Sequence, residues 1–187
     1  IVDDLASVRK AVCRSLQDFA YEIDEAENGQ QHGVEKIQVG DGRNVLNGKT
    51  VIIADDDEMN RQFIGSILQL ENLNITILEA QNGEDVLKLL QQHKVDAVLI
   101  DMIMRPGMGG VEATKIIRAS HSQSKVPIIA LTANSGDEYI EETKAAGMND
   151  FLTKPVEADM LLAKLVQHIN NAHPGSILTK DLISDVV

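Results

Sequence analysis

The sequence is poor in cysteine, in aromatic residues and in positive charge, and each shortage excludes a class of protein. Its 187 residues contain one cysteine, Cys13, which rules out a disulfide framework within the chain and a cysteine-based zinc site. Tryptophan is absent and aromatic residues make up 3%, so the sequence offers no platform for stacking single-stranded nucleic acid bases. The hydrophobic core must therefore consist of Ile, Leu, Val, Ala and Met.

Positive charge is outnumbered, because 17 Lys and Arg residues stand against 29 Asp and Glu residues, a formal net charge of −12. This balance argues against binding to nucleic acid, which needs cations to displace phosphate counterions, and against docking on an anionic membrane. No apolar run reaches the roughly 18–20 residues that cross a bilayer, and no secretory leader is found. We therefore expect a cytoplasmic segment that contacts neither nucleic acid nor membrane. Because the first residue is Ile1, we expect it to be a piece of a longer protein.

Hydrophobic residues still account for 43% of the chain, and between residues 50 and 172 they alternate between strand and helix patterns. The strands read as apolar on both faces, as a parallel sheet covered by helices requires. Right-handed crossovers then give an open, doubly wound α/β fold with five strands. The predicted strands are Val51 to Ala54, Ile75 to Leu78, Ala97 to Ile100, Pro127 to Leu131 and Asp150 to Thr153.

Each predicted strand is followed by a predicted helix with an apolar face. In the first helix we expect Met59, Phe63, Ile67 and Leu70 near one face, with Ile64 and Leu68 beside it. The second carries Val86, Leu87, Leu89 and Leu90, which we expect to point inward, and the third carries Val111, Ile116 and Ile117. The helices after the first are predicted at Glu84 to His93, Gly110 to Ser120, Asp137 to Ala146 with a stop at Gly147, and Glu157 to about Ile169.

The start of the chain is an incomplete internal repeat of this pattern. Ile1-Val-Asp-Asp4 resembles Ile53-Ala-Asp-Asp56, and Glu25-Ala-Glu-Asn-Gly29 resembles Glu79-Ala-Gln-Asn-Gly83. The copy supplies the end of a strand, a helix and a second strand, and we expect the apolar face of its helix to pack on the complete domain or on a second copy in a homodimer. The expected organisation is a partial copy at 1–33, a linker at 34–49, a complete domain at 50–170 and a C-terminal tail or linker at 171–187.

Polar residues follow four of the apolar strands, at the point where each strand ends. They are Asp55, Asp56, Asp101, Thr132 and Lys154. The carboxyl ends of parallel strands share one edge, where open α/β sheets bind their ligands, so these residues should meet in one pocket.

The chemistry of this set is that of phosphoryl transfer. Three carboxylates in one pocket repel one another unless a cation is present, and all-oxygen ligands favour Mg²⁺ or Mn²⁺ over zinc. One carboxylate, Asp101, is the candidate nucleophile. The metal, Lys154 and Thr132 would neutralise and hold the transferred oxygens.

The motifs at these strand ends resemble the receiver domain of two-component response regulators over residues 50–170, and are most similar to receivers of hybrid histidine kinases. They are Ile53-Ala-Asp-Asp-Asp57, Leu99-Ile-Asp-Met-Ile-Met104, Ala130-Leu-Thr-Ala133 and Phe151-Leu-Thr-Lys-Pro155. The resemblance implies a flavodoxin-like sheet with strand order 2-1-3-4-5. It also implies that a histidine kinase or a histidine phosphotransfer domain is the partner.

The same resemblance implies a role for each residue of the site. Asp101 would accept a phosphoryl group from a phosphohistidine. Asp56 would ligate Mg²⁺ directly and Asp55 through water, with the backbone carbonyl of Ile103 completing the protein ligands. Thr132 and Lys154 would contact the phosphate, the bond from Lys154 to Pro155 would be cis, and Phe151 would occupy the aromatic switch position.

The chain departs from the family pattern in the loop after the acceptor. Arg105 is one extra residue in that loop, and Gly109 stands where the family usually has an acid. We expect a longer loop that carries a cation near the phosphate, with consequences for partner choice and phosphoryl lifetime. Ile103 and Asn134 flank the path of the attacking water and are expected to tune that lifetime.

Two other functions stay open at this point. A pseudo-receiver would bind partners without phosphorylation, although the intact set of Asp56, Asp101, Thr132 and Lys154 speaks against it. An aspartate-nucleophile phosphatase of the haloacid type would need a second acid after Asp101, where the sequence has Met-Ile. Phe151 is either a switch residue or simple core, and Met102, Met104 and Met108 are expected to be packing residues. Asp57 and Glu58 are expected to be acids at a helix N-terminus rather than ligands.

Overall fold

Five parallel strands form a sheet in the order β2-β1-β3-β4-β5, which confirms the predicted fold class and strand order. The computed structural model describes residues 45–70, 74–120, 124–133 and 136–172. Within these ranges the strands are β1 (Thr50–Ala54), β2 (Thr76–Ala80), β3 (Ala97–Asp101), β4 (Ile128–Thr132) and β5 (Asp150–Thr153).

The helices follow the strands in the predicted alternation, with ends displaced by up to three residues. α2 begins one residue early because Asn82 caps it: the Asn82 side chain accepts a hydrogen bond from the Asp85 amide. α4 ends where expected, at Gly147, whose φ of 89° is the left-handed conformation that closes a helix. The helices are α1 (Glu58–Leu70), α2 (Gly83–Gln92), α3 (Gly110–Ala119), α4 (Asp137–Ala146) and α5 (Ala158–Ala172).

The central strands are buried on both faces, as their continuous apolar sequence predicts. Along β1, Ile53 packs in one core cluster with α1 and α5, while its neighbour Ile52 packs in a second cluster with α2, α3 and α4. Because successive strand residues point to opposite faces, one sheet fills both clusters. The sheet is thereby packed on both faces.

The predicted inward face of α1 is partly wrong. Ile64, Ile67 and Leu68 are buried, but Met59 is 77% exposed and Phe63 is 51% exposed. Each step of four residues advances around the helix by about 40°, so a row of such steps drifts off the buried face. In α3 the sheet likewise takes up Ala113 and Ile117, and it leaves Ile116 42% exposed.

A single arginine ties α3 to the loops around β4. The Arg118 guanidinium donates to the carbonyls of Gly147, Ser124 and Val126, at 2.7 to 3.1 Å, and to the Asn149 side chain at 2.8 Å. The same Asn149 oxygen accepts the Ile128 amide at the start of β4. Arg118 therefore supplies donors to carbonyls in the segment before β4 and at the end of α4.

A carboxylate at the first position of β5 holds α5 against the sheet. Lys164 Nζ lies 2.5 Å from Asp150 Oδ1, and His168 Nε2 lies 2.9 Å from Asp150 Oδ2. Burial opposes ionisation of Asp150, but hydrogen bonds from His168, Lys164 and the Phe151 amide outweigh it and lower the pKa of Asp150 to about 2. The ionised carboxylate is therefore a stabilising contact.

Replacing Asp150 by asparagine is expected to lower the free energy of unfolding by about 1–2 kcal/mol at neutral pH, after allowance for solvent screening of the half-buried carboxylate. The sign follows from a folded pKa below the ordinary value of 3.8: the stabilisation is complete above that value and disappears as the pH falls through about 2. Urea unfolding of the unaltered chain and of Asp150→Asn, from neutral pH down to about 2, measures how this stabilisation depends on pH. Glu157→Gln, which removes an exposed carboxylate just before α5, is the matched control. A difference between Asp150→Asn and the unaltered chain that stays constant down to the lowest pH would contradict the assignment.

The predicted partial copy at 1–33 and most of the predicted linker and tail lie outside the described residues. Of the linker, residues 45–49 are described, and Val45 and Leu46 among them are buried in the core cluster that contains α1 and α5. Nowhere in the described ranges is a helix long and apolar enough to cross a membrane.

Candidate functional site

The structure brings the predicted polar residues together at the carboxyl edge of the sheet. β1, β3, β4 and β5 lie side by side in parallel, with Ala54 beside Ile100 and Thr132 beside Thr153. Asp101 ends β3 and Thr132 ends β4, while Asp55 and Lys154 each come one residue after their strands. Their meeting follows from the topology alone.

Three carboxylates form the acidic part of the site. One oxygen from each of Asp55, Asp56 and Asp101 lies within 4.8 Å of the others. Asp55 is 1% exposed and Asp101 is half-buried, whereas Asp56 faces solvent. Three negative charges this close need a cation, and hard carboxylate oxygens suit Mg²⁺ or Mn²⁺. The donor set therefore fits the predicted metal.

Lys154 supplies the positive charge in this cluster. Its Nζ lies 2.6 Å from Asp55 Oδ2 and 2.5 Å from Asp101 Oδ2, so one ammonium bridges two carboxylates. Burial lowers the pKa of Lys154, but the hydrogen bonds to Asp101 and Asp55 more than compensate and raise it overall. The peptide bond from Lys154 to Pro155 is cis, as the family resemblance implies.

The Asp101 carboxylate is desolvated and at the same time held by donors. Its Oδ1 accepts the Ile103 amide at 3.0 Å, and its Oδ2 accepts Lys154. Burial raises the pKa of Asp101 above its ordinary value, against the opposing effect of the Lys154 and Ile103 hydrogen bonds. A carboxylate that is poorly hydrated and fixed in orientation is suited to act as a nucleophile.

Thr132 and Phe151 complete the predicted set. Thr132 is buried at the end of β4, and its backbone carbonyl accepts the Lys154 amide at 2.8 Å. Phe151 is half-buried against the core cluster of α2, α3 and α4, and Lys164 Nζ lies 5.5 Å from its ring centroid. Both the switch and the core interpretation of Phe151 stay open with this placement.

Sequence reasoning missed several groups that hold the acidic cluster in place. The Asn60 side chain donates to Asp55 Oδ1 at 3.1 Å, and Arg61 donates to the Asp55 carbonyl at 2.8 Å and to Glu79 at 3.0 Å. Arg61 is 5% exposed. The sequence did contain an indication of these contacts of Arg61. Arg61 lies three residues before Ile64 and therefore on the same, buried face of α1, and a buried cation needs hydrogen-bond partners.

Asp57 and Glu58, the acids at the start of α1, behave as helix N-terminal residues, as predicted. The Met59 amide donates to Asp57 Oδ1 at 2.8 Å, and Gln62 donates to Glu58 at 2.9 Å. The side chains of Asp57 and Glu58 therefore bind partners in α1, and the acidic cluster consists of Asp55, Asp56 and Asp101.

The loop after Asp101 carries the extra residue found in the sequence. Arg105 is exposed, and its amide donates to Asp56 Oδ2 at 3.0 Å.

Met102 and Met104 are buried packing residues, as expected, and Met108 is half-buried. A Cβ on Gly110 would lie 2.2 Å from the Asp101 carbonyl oxygen, so glycine is required where α3 meets the end of β3. Asn134 lies outside the described residues.

Comparison with known proteins identifies the same region. The family model described as "Response regulator receiver domain" matches residues 51–166. Two sensor proteins are similar to this chain: the CAI-1 autoinducer sensor kinase/phosphatase CqsS of Vibrio cholerae, 35% identical over 118 residues, and Sensor protein GacS of Pseudomonas syringae, 34% identical over 119. These alignments cover 63% and 62% of this chain but span only 17% and 13% of the two relatives.

Similarity extends to solved structures. The receiver domain of sensor histidine kinase PA1611 from Pseudomonas aeruginosa superimposes with a TM-score of 0.60 and is 32% identical in sequence. The match covers 66% of this chain and 98% of that one. In that structure a magnesium ion is coordinated in the active site cleft.

Proposed function

Because the chain belongs to the response regulator receiver family of two-component signalling, we propose that Asp101 accepts a phosphoryl group from a phosphohistidine in a Mg²⁺-dependent phosphorelay. The observation that carries the proposal is the bridge from Lys154 to Asp55 and Asp101, since it joins the candidate nucleophile, a cation and the acidic cluster in one site. Residues 50–170 are the proposed complete receiver.

The proposed reaction is a direct displacement at phosphorus. An Asp101 carboxylate oxygen attacks, the new O–P bond forms as the P–N bond to imidazole breaks, and the departing electron pair stays on the imidazole nitrogen. The product is an aspartyl phosphate and a histidine that takes a proton from solvent. No protein base is required because the attacking carboxylate is used in its ionised form.

The acidic cluster is the proposed metal site. Asp56 would ligate Mg²⁺ or Mn²⁺ directly, Asp55 through water, and Asp101 together with the Ile103 carbonyl would supply the remaining protein oxygens. When bound, the ion neutralises charge on the transferred phosphoryl oxygens. The fit of three hard carboxylate oxygens within 4.8 Å supports this assignment.

The remaining residues would hold and report the phosphoryl group. Lys154 would pair with a phosphate oxygen and Thr132 would bond another. A phosphoryl group adds about 1.5–2 negative charges at this edge of the sheet, and movement of Thr132 and Phe151 would carry that change to the outer surface. Phe151, here without a hydroxyl, is the proposed switch residue.

The wider role is proposed from the relatives. The segment would receive its phosphoryl group from a histidine kinase or a histidine phosphotransfer domain, in the cytoplasm, as the receiver part of a hybrid sensor histidine kinase. The two sensor proteins named above support this, although the chain spans less than a fifth of each.

Incubation of the chain with Mg²⁺ and acetyl phosphate, or with beryllofluoride, separates the three candidate functions. We expect one stable modification per chain that requires Mg²⁺, is lost in Asp101→Asn and is kept in Asp57→Asn, the matched control whose side chain can still cap α1. Absence of uptake would indicate a pseudo-receiver. Rapid multiple turnover would indicate a phosphatase of the haloacid type.

A further inference from the structure

The loop between Asp101 and α3 holds two ligands of the acidic cluster through its main chain. The Ile103 amide donates to Asp101 Oδ1 and the Arg105 amide donates to Asp56 Oδ2, each at 3.0 Å. Each amide is one of the donors that orient its carboxylate, and for Asp101 the Lys154 ammonium is the other. What holds the loop in place therefore also sets the geometry of the site.

The middle of this loop has little contact of its own. Arg105, Pro106 and Gly107 are exposed, and Arg105 is the residue by which the loop exceeds the family pattern. Gly107 has a φ of 115°, a conformation that glycine adopts without strain. Past this stretch the loop closes where the Gly110 amide donates to the Met102 carbonyl at 3.1 Å.

The loop is fastened at Met108 to the first turn of α2. The Met108 amide donates to Glu84 Oε2 at 2.9 Å, and the Gly83 amide donates to the Met108 carbonyl at 2.8 Å. The Met108 side chain rests against Gly83 so closely that a Cβ on Gly83 would lie 2.7 Å from Met108 Cγ. Gly107 also lies against Glu84, since a Cβ there would be 3.1 Å from Glu84 Oε2.

We infer that Glu84 is a positioning residue for the metal site: by binding the Met108 amide it holds the lengthened loop so that the Arg105 and Ile103 amides orient Asp56 and Asp101. The inference rests on the proposed function, because it assigns the regulation of the same Mg²⁺ site to a residue outside it. Glu84 contacts neither the metal ligands nor the acceptor in the described contacts and acts only through the loop.

The test uses the ¹⁵N-labelled chain for two measurements. A Mg²⁺ titration gives the Kd for Mg²⁺, and amide hydrogen exchange gives the exchange rate of the Met108 amide. Glu84→Ala is expected to raise the Kd about three- to tenfold, less than the ~10–100-fold typical of groups that contact a metal ligand directly. The same variant should accelerate exchange of the Met108 amide.

Three further variants separate positioning from charge and from helix stability. Glu84→Gln keeps an acceptor at the same reach and should stay within about twofold of the unaltered Kd. Glu84→Asp keeps the charge but is too short, and should weaken binding as Glu84→Ala does, which preserves the test if Glu84→Ala does not fold. Asp85→Ala removes the neighbouring first-turn carboxylate, which pairs with Lys88, and should leave Mg²⁺ affinity unchanged.

Unchanged Mg²⁺ affinity in folded Glu84→Ala would overturn the inference, as would equal weakening in Glu84→Gln and Glu84→Ala. Failure of the unaltered chain to bind Mg²⁺ is a different result: it would overturn the proposed function and this inference with it.

Discussion

Replacing Lys154 by methionine is expected to slow phosphoryl transfer to Asp101 by roughly 10²–10³-fold, the loss typical of removing one group that stabilises developing charge. Lys154 is the cation that bridges Asp55 and Asp101, at 2.6 and 2.5 Å. Without it, the negative charge of the transferred group would develop beside the Asp55 and Asp101 carboxylates with the metal as sole compensation. Methionine keeps the volume of the side chain and removes only its charge.

The initial rate of modification by acetyl phosphate at saturating Mg²⁺ measures this effect. Lys88→Met is the matched control, because Lys88 also pairs with a carboxylate, Asp85, but on the exposed face of α2. A Lys154→Met rate close to that of the unaltered chain would show that Lys154 takes no part in the transfer.

Replacing Arg118 by methionine is expected to lower the free energy of unfolding by about 3 kcal/mol, because the change leaves part-buried carbonyls without a donor. The guanidinium binds the carbonyls of Gly147, Ser124 and Val126 and the Asn149 side chain. Arg118→Lys should recover only part of the loss, since one ammonium cannot reproduce the planar fork of a guanidinium.

Urea unfolding at neutral pH tests the Arg118 prediction, with Lys115→Met on the exposed face of the same helix as the control. A loss below about 1 kcal/mol in Arg118→Met, in the range of ordinary surface changes, would contradict the structural role assigned to Arg118.

The sheet and the meeting of the site residues could be predicted because both depend on local sequence and topology. Apolar runs marked the strands, and parallel strands bring Asp55, Asp101, Thr132 and Lys154 to one edge whatever the details of packing. The strand order and the cis bond before Pro155 came from the family resemblance, and the structure agrees with both.

The buried face of α1 was harder to predict because it depends on how far the helix is rotated against the sheet. The apolar pattern admits Met59 and Phe63 on that face, but the sheet takes up Ile64 and Leu68 instead. Hydrophobic periodicity indicates that a helix is amphipathic, but it defines the limits of the buried apolar face only loosely.

Contacts between a side chain and the backbone of another element could not be predicted at all. Glu84 and the Met108 amide are 24 positions apart, and Arg118 and the Gly147 carbonyl 29 apart. No spacing rule connects such partners, since they meet only once α2, α3 and α4 are placed. Arg61 is the exception, because a cation on the buried face of a helix already demands a partner.

The most direct measurement of the central claim is to locate the phosphoryl group after incubation of the unaltered chain with Mg²⁺ and acetyl phosphate. We predict a single acyl phosphate, sensitive to hydroxylamine, on the peptide that contains Asp101, and no such modification in Asp101→Asn. A phosphoryl group on any other residue, or uptake by Asp101→Asn equal to that of the unaltered chain, would contradict the assignment of Asp101 as the phosphoacceptor.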